Sequence, residues 1–165
     1  MPTTSHTTLH ISTSAASPDT SAPPQRPVDI LIAHYGTSHQ NPTNEAIHFV
    51  AIPLIMFSLC GLMFALHPYV TYAFIAASMV YYARLSWVFF AAMCVWSAII
   101  IALLHAMGTQ VLIASIAIFV AAWVIQFIGH KIEGKKPSFF EDIQYLWVGP
   151  LFLLSKVFGK LGVRW

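Results

Sequence analysis

Four apolar stretches, separated by short polar or histidine-bearing connections, dominate the pattern of this chain. They run from about residues 47 to 66, 68 to 83, 85 to 104 and 110 to 128. A helix needs roughly 20 residues to cross the hydrocarbon core of a bilayer, so three stretches are long enough and the second is short for a span. A fifth apolar piece, within residues 138–158, is interrupted by Gly149-Pro150 and predicts a re-entrant or interfacial helical segment. The pattern therefore predicts an all-α integral membrane four-helix bundle.

Composition agrees with a surface that faces lipid. The chain is 58% hydrophobic and only 8% charged, whereas a soluble domain carries about a quarter charged residues. Residues 1–27 are rich in Ser, Thr, Pro and Ala and predict a disordered tail, without the basic start and apolar core of a secretory signal. Residues 28–165 then form one membrane-embedded domain. A net charge of +2 gives no indication of nucleic-acid binding.

The basic residues predict the orientation in the membrane. All Lys and Arg residues fall in the N-terminal segment, the second-to-third connection or the C-terminal segment. Four spans place these regions on one side, which the positive-inside rule identifies as cytoplasmic together with both termini. His34, His39, His48 and His130 then lie on that side. The connections near His67 and His105 hold no Lys or Arg and lie about 30 Å away across the hydrocarbon core.

Polar residues at the entrance to the first span share one helix face. Asn41 followed by Pro42 is a favourable helix start, with Asn as N-cap and Pro at the first helical position. Asn44 and His48 are then four residues apart and lie on the same face. His39 precedes the cap, so it can fold back towards the helix end.

The end of the fourth span carries a similar polar face. Gln126, His130 and Glu133 share a face if the helix continues past Gly129. Three imidazoles with a nearby carboxylate suit Fe, Zn, Cu or Ni, and nitrogen-rich sites with open positions are typical of non-haem Fe(II) oxygen chemistry. The two helix ends therefore predict a metal site at the membrane surface.

Alternatives exist for several of these residues. His34, in His34-Tyr35-Gly36, is either a further ligand or part of a loop, and we favour the loop. Glu133 is followed by lysines and is also interpretable as a solvated ion-pairing residue. Asn44 is also interpretable as a local cap or hydrogen-bonding residue.

Two separated motifs resemble a known family. The opening motif is Tyr35-x-x-x-His39-x-Asn41-Pro42-x-Asn44-x-x-x-His48, followed by Pro53. The closing motif is Trp123-x-x-Gln126-Phe127-Ile128-Gly129-His130, followed by Glu133, Pro137 and Gly149-Pro150-Leu151-Phe152. Together they resemble the 2-hydroxy fatty acid dioxygenase family of small membrane proteins, over about residues 30 to 158.

The resemblance implies an Fe(II) (Fe²⁺) dioxygenase that uses O2 to cleave a 2-hydroxy fatty acid to the acid one carbon shorter, a step of fatty acid α-oxidation. It implies that His39, His48 and His130 bind the iron. Some members carry an acidic residue in place of Lys156, so no metal role is assigned there, and the identity of a fourth ligand stays open. The substrate tail would lie among the helices.

Electrostatic attraction would bring the substrate carboxylate to the basic residues that follow the fourth span, namely Lys131, Lys135 and Lys136. The alternative function is a non-catalytic small membrane protein that binds a lipid or haem, or acts as a scaffold. Haem binding requires axial histidine pairs inside the bundle, and these histidines are at helix ends, which argues against haem.

Overall fold

The computed structural model describes residues 25–134 and 145–165, and every regular element in these ranges is helical. The helices are α1 (Pro27–Gly36), α2 (Pro42–Leu66), α3 (Pro68–Leu85), α4 (Trp87–Met107), α5 (Val111–Glu133) and α6 (Val148–Leu161), with a short 3-10 turn over Gly108–Gln110 between α4 and α5. The all-α prediction is therefore confirmed for the described residues. Residues 1–24 of the predicted disordered tail lie outside the described residues. Pro27, the last residue of that predicted tail, is the first residue of α1.

The helix boundaries follow from local sequence signals. Proline occupies the first position of α1, α2 and α3, where the missing N–H has no intrahelical partner in any case. The Asn41 side chain accepts a hydrogen bond from the backbone N–H of Thr43 at 2.9 Å, so Asn41 is the N-cap of α2 as predicted. At the other end, α5 continues past Gly129 and stops at Gly134, whose φ of 76° is the left-handed conformation that favours glycine.

Helices α2 to α5 alternate in direction. The start of α3 contacts the end of α2, where the Thr71 hydroxyl donates to the Cys60 carbonyl at 3.0 Å. The start of α3 also contacts the end of α4, where Tyr72 and His105 share a hydrogen bond of 2.7 Å. Helix α5 runs antiparallel to α2, against which it packs along its length. Successive helices of the four therefore run in opposite directions.

Helices α1 and α6 pack on each other and cover one end of these four helices. A buried cluster joins them there to the end of α3 and the start of α4, and it comprises Val28, Tyr82, Phe89, Met93 and Leu151. Trp147, just before α6, forms two hydrogen bonds with α3. Its indole N–H donates to Ser78 Oγ at 2.9 Å, and its carbonyl accepts from the Tyr82 hydroxyl at 3.2 Å.

Two corrections concern the segments outside the four apolar stretches. His34, Tyr35 and Gly36, which we assigned to a loop, form the last turn of α1. Gly149-Pro150, which the sequence suggested as a break, lies in the first turn of α6, where proline is compatible with a helix. At 14 residues, α6 spans about 21 Å and is too short to cross a bilayer.

Two stretches of the described chain are long and apolar enough to cross a membrane. These are α2, Pro42–Leu66, and the stretch Trp87–Glu133 that contains α4 and α5. Helix α3 does not meet that criterion, in line with the short second stretch in the sequence. Exposed apolar side chains run along α5 from Leu112 through Val120 to Ile128, and large patches of this kind mark surfaces that contact lipid or protein.

Two glycines permit the close contact between α2 and α5. A Cβ atom at Gly61 would overlap the Ser115 hydroxyl and lie 3.1 Å from Ser115 Cβ. At the opposite end of the pair, a Cβ atom at Gly129 would overlap Asn44 Oδ1 and lie 3.1 Å from Ile47 Cγ2. Small residues let helix backbones approach closely, which strengthens packing where lipid competes for the apolar surface.

We expect Gly61→Ala to destabilise the protein by about 1–3 kcal/mol, because the added methyl group has no space between α2 and α5. Thermal unfolding in detergent measures the effect. Gly159→Ala is the matched control, since a Cβ atom there meets nothing within 4 Å, and its unfolding temperature should not fall. An unchanged unfolding temperature for Gly61→Ala would contradict the close packing described here.

Candidate functional site

Three histidines from separate parts of the chain meet beneath α1 and α6. His39 follows α1, His48 lies near the start of α2, and His130 lies in the last turn of α5. All three are buried, with His48 fully inaccessible. Their ring centroids are separated by 4.3 Å between His39 and His48, 5.2 Å between His48 and His130, and 6.0 Å between His39 and His130. The structure therefore brings the three predicted ligands together.

Backbone hydrogen bonds orient two of these imidazoles. Nδ1 of His39 lies 2.9 Å from the Tyr35 carbonyl, and Nδ1 of His48 lies 2.9 Å from the Asn44 carbonyl. Because a carbonyl oxygen only accepts, Nδ1 carries the proton in both rings, and Nε2 bears the lone pair in the neutral form. Histidines that bind metals commonly donate their second ring N–H to a carbonyl or carboxylate in this way.

The distances between the imidazole rings show whether the three histidines are placed to bind one metal ion. Three imidazoles around one ion, at metal–nitrogen distances of about 2.0–2.1 Å, would have ring centroids about 4.5–5.5 Å apart. The 6.0 Å between His39 and His130 exceeds this range. Accordingly, no group of three or more His, Cys, Asp and Glu residues in the described ranges is placed to hold a metal ion as it stands. The donor types fit a metal, but to bind one ion the His39 and His130 rings must move closer together and the His39 and His48 rings slightly apart.

Glu133 fastens the end of α5 to the start of α2. Its carboxylate accepts hydrogen bonds from the backbone N–H of Gln40 at 2.8 Å and of Asn41 at 3.0 Å. It also accepts from Asn44 Nδ2 at 2.9 Å. The carboxylate therefore sits at the N-terminus of α2, where the helix dipole favours negative charge. Glu133 therefore acts as a cap that links the two helices.

The ionisation of Glu133 reflects these contacts. Glu133 follows the apolar run of α5, which ends at Ile128. Partial burial alone would raise the pKa of its carboxyl group. The hydrogen bonds from Gln40, Asn41 and Asn44 outweigh that effect and lower the pKa below its usual value. The cap is consequently charged at neutral pH, and its contribution to stability is lost as the pH falls through that lowered pKa.

Asn44 joins this cap to the histidines. Its side chain is fully buried and donates to Glu133, while its backbone carbonyl accepts from His48 Nδ1. The absence of a Cβ atom at Gly129 is what allows Asn44 Oδ1 to approach α5. A purely local capping role for Asn44 is therefore wrong, because the side chain bonds a residue on another helix.

Two aromatic side chains beside His39 were not among the candidates from the sequence. Tyr35 stacks on His39 with ring centroids 4.2 Å apart and 14° between the planes, and Phe152 of α6 lies 5.7 Å from His39. The four-residue spacing of Tyr35 and His39 was an available signal for the first contact. No local signal places Phe152 there, because it is more than 100 positions away in the chain.

The remaining candidates have other surroundings. His34 is exposed and contacts Tyr145, with His34 Nδ1 3.2 Å from the Tyr145 hydroxyl. Lys131 is exposed at the end of α5, and Lys135 and Lys136 lie outside the described residues. Lys156 forms an ion pair with Glu45 at 3.0 Å.

An apolar cavity of about 300 Å³ is lined in part by Tyr35, which stacks on His39, and by Gln126, one helical turn before His130. It is bounded mainly by α2, α5, Phe74 of α3 and the segment before α6. Its lining residues are Tyr35, Ile52, Ile55, Leu59, Met63, Phe74, Phe119, Trp123, Gln126, Tyr145, Leu146 and Gly149. Among the described lining residues, Gln126 alone has an amide side chain, and it is 3% exposed. A cavity that is mostly apolar with a few polar groups is typical of small-molecule sites.

Most of the chain matches a known protein family. Residues 26–161 match the model of the Mpo1-like family, described as 2-hydroxy-palmitic acid dioxygenase Mpo1-like. The chain belongs to this family. The match covers most of the chain, including both helices of the α2–α5 pair and the segments that carry all three histidines. The family suggested by the two sequence motifs is thus confirmed.

A curated relative points the same way. The chain is 23% identical over 142 residues to the 2-hydroxy-palmitic acid dioxygenase MPO1 of Saccharomyces cerevisiae, and the alignment covers 79% of each protein. No solved structure matches the chain.

We expect Glu133→Gln to reduce stability by about 1–2 kcal/mol at neutral pH, because hydrogen bonds to a charged acceptor are stronger than those to an amide. Thermal unfolding at pH 7 measures the difference. The matched control is Glu45→Gln, which removes the exposed ion pair with Lys156 and should change stability by less than about 1 kcal/mol. Equal effects of the two substitutions would show that Glu133 is an ordinary surface carboxylate.

Proposed function

We propose that the protein is an Fe²⁺-dependent dioxygenase that cleaves 2-hydroxy fatty acids to the acid one carbon shorter. The observation that carries this proposal is the meeting of three buried imidazoles, two of them with Nδ1 bonded to a backbone carbonyl, beside an apolar cavity. Membership of the Mpo1-like family supports it. With one O2 consumed, the reaction balances when the products are the shorter acid, CO2 and water.

His39, His48 and His130 would hold the iron. When bound, the metal would activate O2 and polarise the substrate hydroxyl and carboxylate. The protein supplies the rest of the site. The Tyr35 and Asn44 carbonyls hold the orientation of two rings, Glu133 and Gly129 keep α2 and α5 together, and α1 with α6 shields the site from water. Lys131, Lys135 and Lys136 would attract the substrate carboxylate.

We propose that α2, α3, α4 and α5 all cross the bilayer, with the histidines at the cytoplasmic surface. The alternating helix directions and the exposed apolar face of α5 support this arrangement. A fatty acid in the bilayer would then reach the cavity with its tail among the helices and its polar end at the histidines. Short α3 would be sheltered by its packing on α2 and α4.

Replacing His39, His48 or His130 with Ala should lower the turnover of 2-hydroxypalmitate at least about 100-fold and reduce bound iron, because each substitution removes a ligand. Protein reconstituted anaerobically with Fe²⁺ is given the acid and O2, and pentadecanoic acid is quantified. Iron content is measured on the same samples. His105→Ala is the matched control, since His105 is exposed and bonds Tyr72 at the other end of the helices.

Full activity in any one of the three substituted proteins would remove that residue from the ligand set. A wild-type protein that binds iron but forms no shorter acid would refute the dioxygenase function. A Soret band in the optical spectrum would instead favour haem binding. Loss of iron in His105→Ala would refute the proposed membrane topology, since it places His105 on the opposite surface.

A further inference from the structure

We propose that Gln126 recognises the 2-hydroxyl group of a single-chain acyl ligand whose tail lies in the cavity along α2. The inference rests on the proposed function, which supplies the chemical class of the ligand. It identifies a residue of this protein that distinguishes a 2-hydroxy acid from the unsubstituted acid. It also gives the direction in which the acyl tail of the ligand lies.

The first observation is the state of the Gln126 side chain. It is 3% exposed, and its Oε1 atom is buried without a hydrogen-bond donor among the described residues. A buried acceptor in that state is unfavourable unless a ligand or an ordered water supplies the donor. Gln126 also lines the cavity, so a ligand within the cavity can supply it.

The second observation is the position of Gln126 relative to the histidines. Gln126 and His130 are four residues apart on α5, so their side chains lie on the same face one helical turn apart. The cavity therefore has a polar end near Gln126 and the histidines. From there its lining continues along α2 through Ile55 and Leu59 to Met63, with no charged side chain among the described residues that line it.

The size of the cavity fits one acyl chain. Ile52 and Met63 are 11 residues apart on α2, which corresponds to about 16 Å along the helix axis. One acyl chain spans half of the roughly 30 Å hydrocarbon core, or about 15 Å. A volume of about 300 Å³ is at the lower end for ligand pockets and suits a single chain better than the paired chains of a phospholipid.

The chemistry of the ligand explains why an amide oxygen would be selective. A fatty acid near neutral pH is a carboxylate, which only accepts hydrogen bonds. The 2-hydroxyl group is then the single donor at the polar end of a 2-hydroxy acid. Gln126 Oε1 would accept that hydrogen, whereas the unsubstituted acid would leave the buried oxygen without a donor. A site built to bond a hydroxyl rejects analogues that lack it.

Binding to metal-free protein under anaerobic conditions tests the inference without turnover. Radiolabelled 2-hydroxypalmitate and palmitate are titrated into the protein in nanodiscs, with protein-free nanodiscs as background. We expect the wild type to prefer 2-hydroxypalmitate about tenfold, the amount that one buried hydrogen bond provides. Gln126→Leu and Gln126→Met should reduce the preference to within about twofold while palmitate binding is retained.

Gln110→Leu is the matched control, since Gln110 is exposed in the turn between α4 and α5 and should keep the tenfold preference. A second pair of variants tests the tail. Leu59→Trp should weaken binding of both 16-carbon acids at least about tenfold and favour shorter acids, because the larger ring fills the cavity. Leu66→Trp, at a position that is 80% exposed, should bind both acids as the wild type does.

The results separate this inference from the proposed function. An unchanged preference in both Gln126 variants would overturn the role of Gln126, even if the wild type converts 2-hydroxypalmitate. Unaltered binding in Leu59→Trp would overturn the placement of the tail. Conversely, a tenfold preference that disappears with Gln126 would support the inference even if iron-loaded protein formed no shorter acid.

Discussion

The close antiparallel contact between α2 and α5 is the constraint on which the site depends. Glycine at both ends of this pair, Gly61 and Gly129, removes the side chains that would hold the helices apart. At one end the approach places Ser115 against α2, and at the other it places Asn44 against α5. His48 and His130 face each other across the second contact. A wider separation of these helices would place the imidazoles too far apart to bind one metal ion.

Electrostatic capping reinforces this contact where α5 ends and α2 begins. Glu133 accepts two backbone N–H groups at the start of α2 and the Asn44 amide. The same carboxylate thereby holds the turn that carries His39. Helices in lipid gain little from the hydrophobic effect, so close packing and polar contacts of this kind carry much of their association. The site is thus built where the two kinds of contact meet.

The histidine cluster and the apolar cavity are adjacent because α5 lines both of them. Its last turn supplies His130, and the preceding turns supply Gln126, Trp123 and Phe119 to the cavity. An amphipathic ligand has the same division into a polar end and an apolar chain. Small-molecule sites commonly combine an apolar lining with a few polar groups that orient the ligand.

The sequence by itself determined the helical class, the start of α2 at Asn41-Pro42 and the alternating directions of four helices. It also indicated which three histidines would lie together, because periodicity, capping and motifs are read from short stretches of sequence. It also indicated the family, since the two motifs occur in the same order as in that family. Only the tertiary structure decided that Glu133 caps α2, that Gly129 permits the approach of Asn44, and that Phe152 lies beside His39. These contacts join residues on different elements, and local patterns do not encode the distance between two helices.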